Sequence, residues 1–147
     1  MTSQPAVVSE LTFVVWGVAQ PKGSAKAFLP KGWTRPIVTS DNTRNKGWQQ
    51  LVAEAAGRAK DEAGAALLEG PVRLLVAFYL PRPKTLPKRV QHNTKKPDLD
   101  KLVRSVKDAL TKVAWQDDSQ VVDLKAIKRY ADVGTTPHAV ITITPVE

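Results

Sequence analysis

The 147-residue chain contains no cysteine. Disulfides and cysteine-ligated zinc are therefore excluded, and a reducing, cytoplasmic setting is the expected one. Histidine is almost as scarce, with only His92 and His138. No HExxH, phosphate-binding P-loop, nucleophile elbow or GxGxxG is present, so the chemistries those motifs carry have no foothold. No apolar run approaches the ~20 residues that span a bilayer. The opening "MTSQPAVVSE" lacks the basic start and apolar core of a secretory signal. No membrane association is expected. Acid is missing from one long stretch, "PRPKTLPKRVQHNTKKP" at residues 81–97, which carries Arg82, Lys84, Lys88, Arg89, Lys95 and Lys96 and neither Asp nor Glu.

What is present is positive charge. Lys and Arg number 22 against 14 Asp and Glu, a net +8. A balance of that size points to a polyanionic partner, nucleic acid first. The length fits one domain over residues 1–147, large enough to bury about two-thirds of its unfolded surface without covalent staples.

Residue patterns predict a mixed organisation. "LTFVVWGV" (11–18) and "VRLLVAFYL" (72–80) are rich in β-branched and aromatic residues and read as strands, as do "RPIVTS" (35–40), "SQVVDLKAIKRYA" (119–131) and "HAVITITPV" (138–146). Ser40 or Asp41 is a candidate cap for a helix from about Asn42 to Ala63, whose apolar stripe comprises Trp48, Leu51, Val52, Ala55, Ala56 and Ala59. A second helix is expected from Asp100 to about Val113, with Leu102, Val106, Ala109, Leu110 and Val113 facing the core and Asp100, Arg104, Lys107 and Thr111 on the opposite face. The fold class is α+β: a mixed or antiparallel sheet of about four to six strands with two main helices, the acidic helix lying at one end of the sheet.

The basic loop runs straight into an acidic pair, "KKPDLDK", with Asp98 and Asp100 two positions apart; a second pair, Asp117 and Asp118, follows the helix in "WQDDSQ". Taken singly, Asp before a helix is an N-cap or a partner of the helix dipole, and Asp in a connection is ordinary turn chemistry. Taken together, they supply what Mg²⁺ or Mn²⁺ requires: clustered oxygen ligands, with water and a substrate phosphate completing the shell. A metal ion polarises a phosphodiester and activates a water, and neighbouring cations such as Arg104 and Lys107 stabilise charge on the phosphate. An all-basic, proline-rich loop suits contact with phosphates.

The segment "KPDLDKLVRSVKDALTKVAWQDDSQVVDLKAIKRYA" resembles the signature region of the RusA family of Holliday-junction resolvases: small, dimeric, Mg²⁺- or Mn²⁺-dependent endonucleases of bacteria and their phages. Pro97, Asp98, Leu99 and Asp100 match its first part, Asp108, Ala109 and Leu110 its middle, and Trp115, Asp117, Asp118, Ser119, Gln120, Val121 and Val122 its end. "GVAQPKGSAKAF" is similar to the family's early strand–turn–strand. The resemblance implies a homodimer, a cytoplasmic location in the bacterium or phage host, and action on branched DNA in recombination, repair or phage DNA processing. It implies Asp98, Asp100 and Asp118 as metal ligands and Asp117 as an accessory acid or an alternative ligand. Two positions depart from the family pattern: Lys101 stands where Asn is usual, and Arg104 where Lys is. Arginine supplies charge but does not readily lose a proton, so Lys107, one turn on, is the candidate wherever a neutral amine is needed. Lys22, Lys26 and Lys31, with Arg82, Lys84, Lys88, Arg89, Lys95, Lys96 and Lys101, are the expected DNA contacts. Two other readings fit the same residues: a nucleic-acid-binding module without catalysis, and a metal-dependent nuclease of other branched DNA or of RNA.

Overall fold

The computed structural model describes residues 10–22, 25–28, 31–32, 37–40 and 44–146, with backbone alone for 25–28 and 37–40. In chain order the elements are β1 (Leu11–Trp16), β2 (Ala25–Phe28), β3 (Ile37–Ser40), α1 (Asn45–Ala63), β4 (Val72–Leu80), α2 (Leu99–Leu110), a short 3-10 turn (Asp118–Gln120), β5 (Val121–Tyr130) and β6 (His138–Pro145). β2 and β3 pair antiparallel as a separate hairpin. The remaining strands form one mixed sheet in the order β1-β6-β4-β5. β6 is antiparallel to both β1 and β4, and β5 is parallel to β4. This is the α+β class with a mixed sheet and two helices that the sequence predicts.

Period-two alternation sets the faces of the sheet. In β4, Val72, Leu74, Val76, Phe78 and Leu80 are buried while Arg73 and Leu75 point outward. Phe13 and Val15 of β1 and Ala139, Ile141 and Ile143 of β6 share the buried side. Both helices cover that side, contributing Trp48, Val52 and Ala56 from α1 and Leu102, Val106 and Leu110 from α2. Leu51, assigned to the core stripe of α1, is instead 43% exposed. It lies against Gly17, where β1 ends: a Cβ on Gly17 would sit 3.2 Å from Leu51 Cδ1 and 3.7 Å from the Trp48 ring, at a φ of 143°. The φ is what favours glycine there, since the exposed end of the Leu51 side chain could give way to a Cβ.

The helix starts differ from expectation. Ser40 closes β3 rather than capping α1, and Asp41 and Asn42 lie outside the described residues. α1 begins at Asn45, whose Oδ1 accepts a short hydrogen bond from the buried Ser105 hydroxyl of α2. Gln49 Nε2 donates to the Ser105 carbonyl at 3.0 Å. This polar tie fixes one helix against the other inside an otherwise apolar layer. α2 ends at Leu110, three residues short of the expected Val113, because residues 111–115 fold into a tight turn with Lys112 at φ 73°.

The parallel pairing of β4 and β5 requires a crossover. The basic loop and α2 supply it, so α2 runs back alongside β5. Its first turn therefore lies at the end of the sheet where β4 and β5 finish: Lys128 Nζ, near the end of β5, donates to the carbonyls of Lys95 and Pro97. Its last turn lies at the opposite end, beside the start of β5.

Candidate metal and nucleic-acid site

Asp98 occupies the N-cap position of α2 and Asp100 sits in its first turn. A capping aspartate would accept from a backbone N–H, yet the Asp98 side chain makes no such bond. Both carboxylates are exposed. Neither is in a hydrogen bond or an ion pair with any described residue, although Lys95, Lys96 and Lys101 surround them in sequence. Two unengaged carboxylates fit a hard cation, which takes one or two protein carboxylates and fills its shell with water and phosphate oxygens. The positive end of the helix dipole favours negative charge at the same place.

The two acids open on different sides of the helix start. Asp98 lines a cavity of about 650 Å³ bounded by the end of β4, the segment after β1 and the final turn of the basic loop. Asp100 lines a groove of about 540 Å³ between α2 and β5, together with Arg104 and Lys107. The grouping of Asp100, Arg104 and Lys107 on one polar face is thus as expected. Thr111, placed on that face by the helical wheel, turns away: its hydroxyl donates to the Lys107 carbonyl and accepts from Trp115 Nε1 at 3.2 Å.

The second acidic pair is elsewhere. α2 is 12 residues long, so its two ends stand about 18 Å apart, and Asp117 and Asp118 follow the far end. Within one chain the two acidic pairs therefore do not form the single cluster of oxygen ligands that the sequence suggests. Among the described residues, no three Asp, Glu or His side chains come together as a metal cluster. Asp117 is engaged locally: its side chain accepts from the Ser119 N–H at 2.9 Å, half of a capping box completed by Gln120. That bond holds the Asp117 carboxyl below its ordinary value of 3.8. Asp118 is half-exposed in the same turn.

The expected phosphate contacts divide into two groups. Lys84, Lys88, Arg89, Lys95 and Lys96 are exposed along the loop, Lys31 is exposed in its turn, and Lys101 is half-exposed on α2. The Lys26 side chain lies outside the described residues. Arg82 is not free for DNA. Nε donates to the Ala131 carbonyl at 2.8 Å, Nη1 to Pro87 at 3.1 Å and Nη2 to Val90 at 2.7 Å, and its guanidinium carbon lies 5.7 Å from the centre of the Tyr130 ring. It organises the loop that presents the other cations. Lys22 is ion-paired with Asp108 at 2.6 Å, and its N–H donates to the Lys101 carbonyl. It stitches the segment after β1 onto α2, at the cost of some of its availability to phosphate. Lys128 and Asn93, which the pattern reading passed over, have structural roles in the loop. Lys128 holds the Lys95 and Pro97 carbonyls, and Asn93 Oδ1 accepts from the Lys95 N–H at 2.8 Å. A lysine inside a strand and an asparagine inside a basic loop carry no periodic signal.

Comparison with known proteins decides the relationship. The family model described as "Endodeoxyribonuclease RusA" matches residues 19–144. The chain belongs to the RusA family. The matched range takes in the basic loop, the α2 start with Asp98 and Asp100, and strands β4 and β5. The chain is also 33% identical over 132 residues to an uncharacterized protein, YqaN, of Bacillus subtilis (strain 168), covering 83% of this chain and 89% of that one. No described helix is long and apolar enough to cross a membrane.

Proposed function

We propose that this RusA-family chain is a metal-dependent endonuclease that resolves four-way DNA junctions as a homodimer. The observation that carries the reading is the pair of unengaged carboxylates, Asp98 and Asp100, at a helix start fed by an acid-free basic loop. Asp98 and Asp100 would hold Mg²⁺ or Mn²⁺, which when bound supplies a polarised phosphodiester and an activated water. Arg104 and Lys107, sharing the groove with Asp100, place positive charge where the phosphate gains negative charge. Lys84, Lys88, Arg89, Lys95 and Lys96 hold the arms by phosphate contact, so binding weakens steeply as salt rises.

A homodimer suits a substrate with approximate two-fold symmetry, because it presents two equivalent sites. It also offers a place for Asp118. Among the described residues no strand pairs with the outer edge of β5 over residues 121–127, and its end is bridged by His92 at Arg129. Antiparallel pairing of two such edges would bring the start of one β5, with Asp118 just before it, toward the α2 start of the other copy.

The test is a cleavage assay on labelled four-way junction, linear duplex and hairpin RNA, each with Mg²⁺, Mn²⁺ or EDTA. Metal-dependent paired nicking of the junction alone is the expected result. Equal cutting of all three substrates would replace the reading with a general nuclease. Junction binding without cutting under either metal would replace it with a binding module.

A further inference from the structure

The 650 Å³ cavity that Asp98 lines extends well past that one carboxylate, and the rest of its construction is unlike that of a phosphate site. Its floor is apolar and partly aromatic: Ala19, Leu80 and Tyr130, each less than a tenth exposed. Its rim is cationic, with Lys96 and Lys101 flanking Asp98. Neither lysine side chain is paired with any described acid. The volume lies in the range of small-ligand sites. One polar side chain is set into the wall: Asn93, 8% exposed. The Lys95 N–H fixes its Oδ1. Its Nδ2 has no protein partner among the described residues and keeps contact with solvent, so it is free to donate to a ligand in the cavity.

We propose that this cavity receives an unstacked nucleobase, from the nucleotide next to the scissile phosphate, and that Asn93 reads its edge. The inference rests on the assignment of Asp98 to the cleavage site. A flat heterocycle suits the apolar floor and the Tyr130 ring, and the rim lysines meet the phosphates on either side of it. Enzymes that act on nucleic acid turn bases out of the stack where stacking is already weakened, as it is at the exchange point of a four-way junction. The fixed amide donates to a ring nitrogen or carbonyl on the base edge, a contact that differs between bases. The cavity would therefore set where the junction is cut, while the basic loop sets how tightly it is held.

The experiment places 2-aminopurine, whose fluorescence rises on unstacking, singly at each position flanking the cut bond. Junctions are saturated with protein in Ca²⁺, and complex formation is checked by gel shift. The expected result is a severalfold rise at one position adjoining the cut. Val18→Trp, at a rim residue 44% exposed, fills the cavity without removing a core group, and should abolish the rise and flatten the distribution of cut sites. Asn93→Asp keeps the oxygen that accepts from Lys95 but loses the donor, and should change the preferred base at the cut with little change in melting temperature. A wild-type complex bound and cut normally but with no rise at any position overturns the cavity assignment alone, as does Val18→Trp with an unchanged rise and cutting pattern. Failure of the wild type to bind or cut junctions in Mg²⁺ or Mn²⁺ overturns the resolvase reading, and this one with it.

Discussion

A pair of aspartates lies at the start of α2 and another follows its end, and Asp117 of the second pair is held quite differently from Asp98 and Asp100. At the C-terminal end Asp117 and the groups around it are tied into the turn. Gln120 Oε1 accepts from the N–H groups of Gln116 and Asp117, and its Nε2 donates to the carbonyls of Leu68 and Gly70, all at 2.9 Å. Trp115 is fully buried with its Nε1 donating to Thr111, and Lys60 Nζ from α1 caps the Val113 carbonyl at 2.9 Å. At the N-terminal end the Asp98 and Asp100 carboxylates have no partner among the described residues, and exposed lysines stand around them. An acid whose oxygens are used within its own turn is part of the scaffold. An acid left with its oxygens open, where repulsion and dipole both act on it, is available to a ligand.

Breaking the open end should have the largest effect. Asp100→Asn removes the charge but keeps the shape. Cleavage should fall by on the order of 10²–10³-fold or more, since the lost group would hold the charge-stabilising ion. Junction affinity in EDTA and the melting temperature should change little. Normal cutting by Asp100→Asn would remove this residue from the site. Arg104→Ala should follow with a smaller loss, and Arg104→Lys should retain most of the activity if the side chain acts only as a charge. A rate above wild type in Arg104→Lys would instead mean that the site works better with an amine.

Breaking the closed end should act on stability and not on chemistry. Trp115→Ala empties a fully buried site and should cost about 3–5 kcal/mol in a denaturant titration. Gln120→Ala removes a clamp that joins the turn to the segment before β4, and should cost about 1–2 kcal/mol, with the carbonyls of Leu68 and Gly70 left to water. Both proteins, at temperatures where they remain folded, should bind junctions normally. A loss of cleavage in folded Gln120→Ala exceeding its loss of stability would tie this turn to catalysis through Asp118.

The strands of the four-stranded sheet and both helices were legible because their apolar residues repeat at two or at 3.6 positions; β4 matches its expected bounds of 72–80, whereas β2 (Ala25–Phe28) was not among the strands the pattern marks. The helix ends were less so. No side chain marks the stop at Leu110: the turn at Lys112 is set by Trp115 packing into the core, a tertiary effect. Of the site, the spacing of Asp100, Arg104 and Lys107 placed all three on one groove, since neighbours on a helix surface follow from sequence distance alone. The separation of the acidic pairs was legible too: a helix of the expected length, at about 1.5 Å per residue, already holds its two ends about 20 Å apart. The use of Arg82 could not be read from the chain, since its three carbonyl partners come from the two sides of β5. A basic residue in a basic loop looks the same whether it faces phosphate or its own backbone.

The smallest effect separates the two aspartate pairs most directly. The Ser119 N–H bond holds the Asp117 carboxyl below its ordinary 3.8. A lowered folded value means that the charged form is the one the fold favours. The resulting stabilisation is present in full above the unfolded value and is lost as pH falls through the lowered folded one. The Ser119 amide shift, followed by NMR during acid titration, should therefore move with a midpoint below 3.8. Asp117→Ala should lower the melting temperature slightly at neutral pH, and the deficit should vanish at pH values below that midpoint, where the wild-type carboxyl is also neutral. Cleavage by Asp117→Ala should stay near the wild-type rate. A midpoint at or above 3.8, or a loss of cleavage on the scale of Asp100→Asn, would mean that Asp117 is held for a ligand rather than for its own turn, and the contrast between the two ends of α2 would disappear.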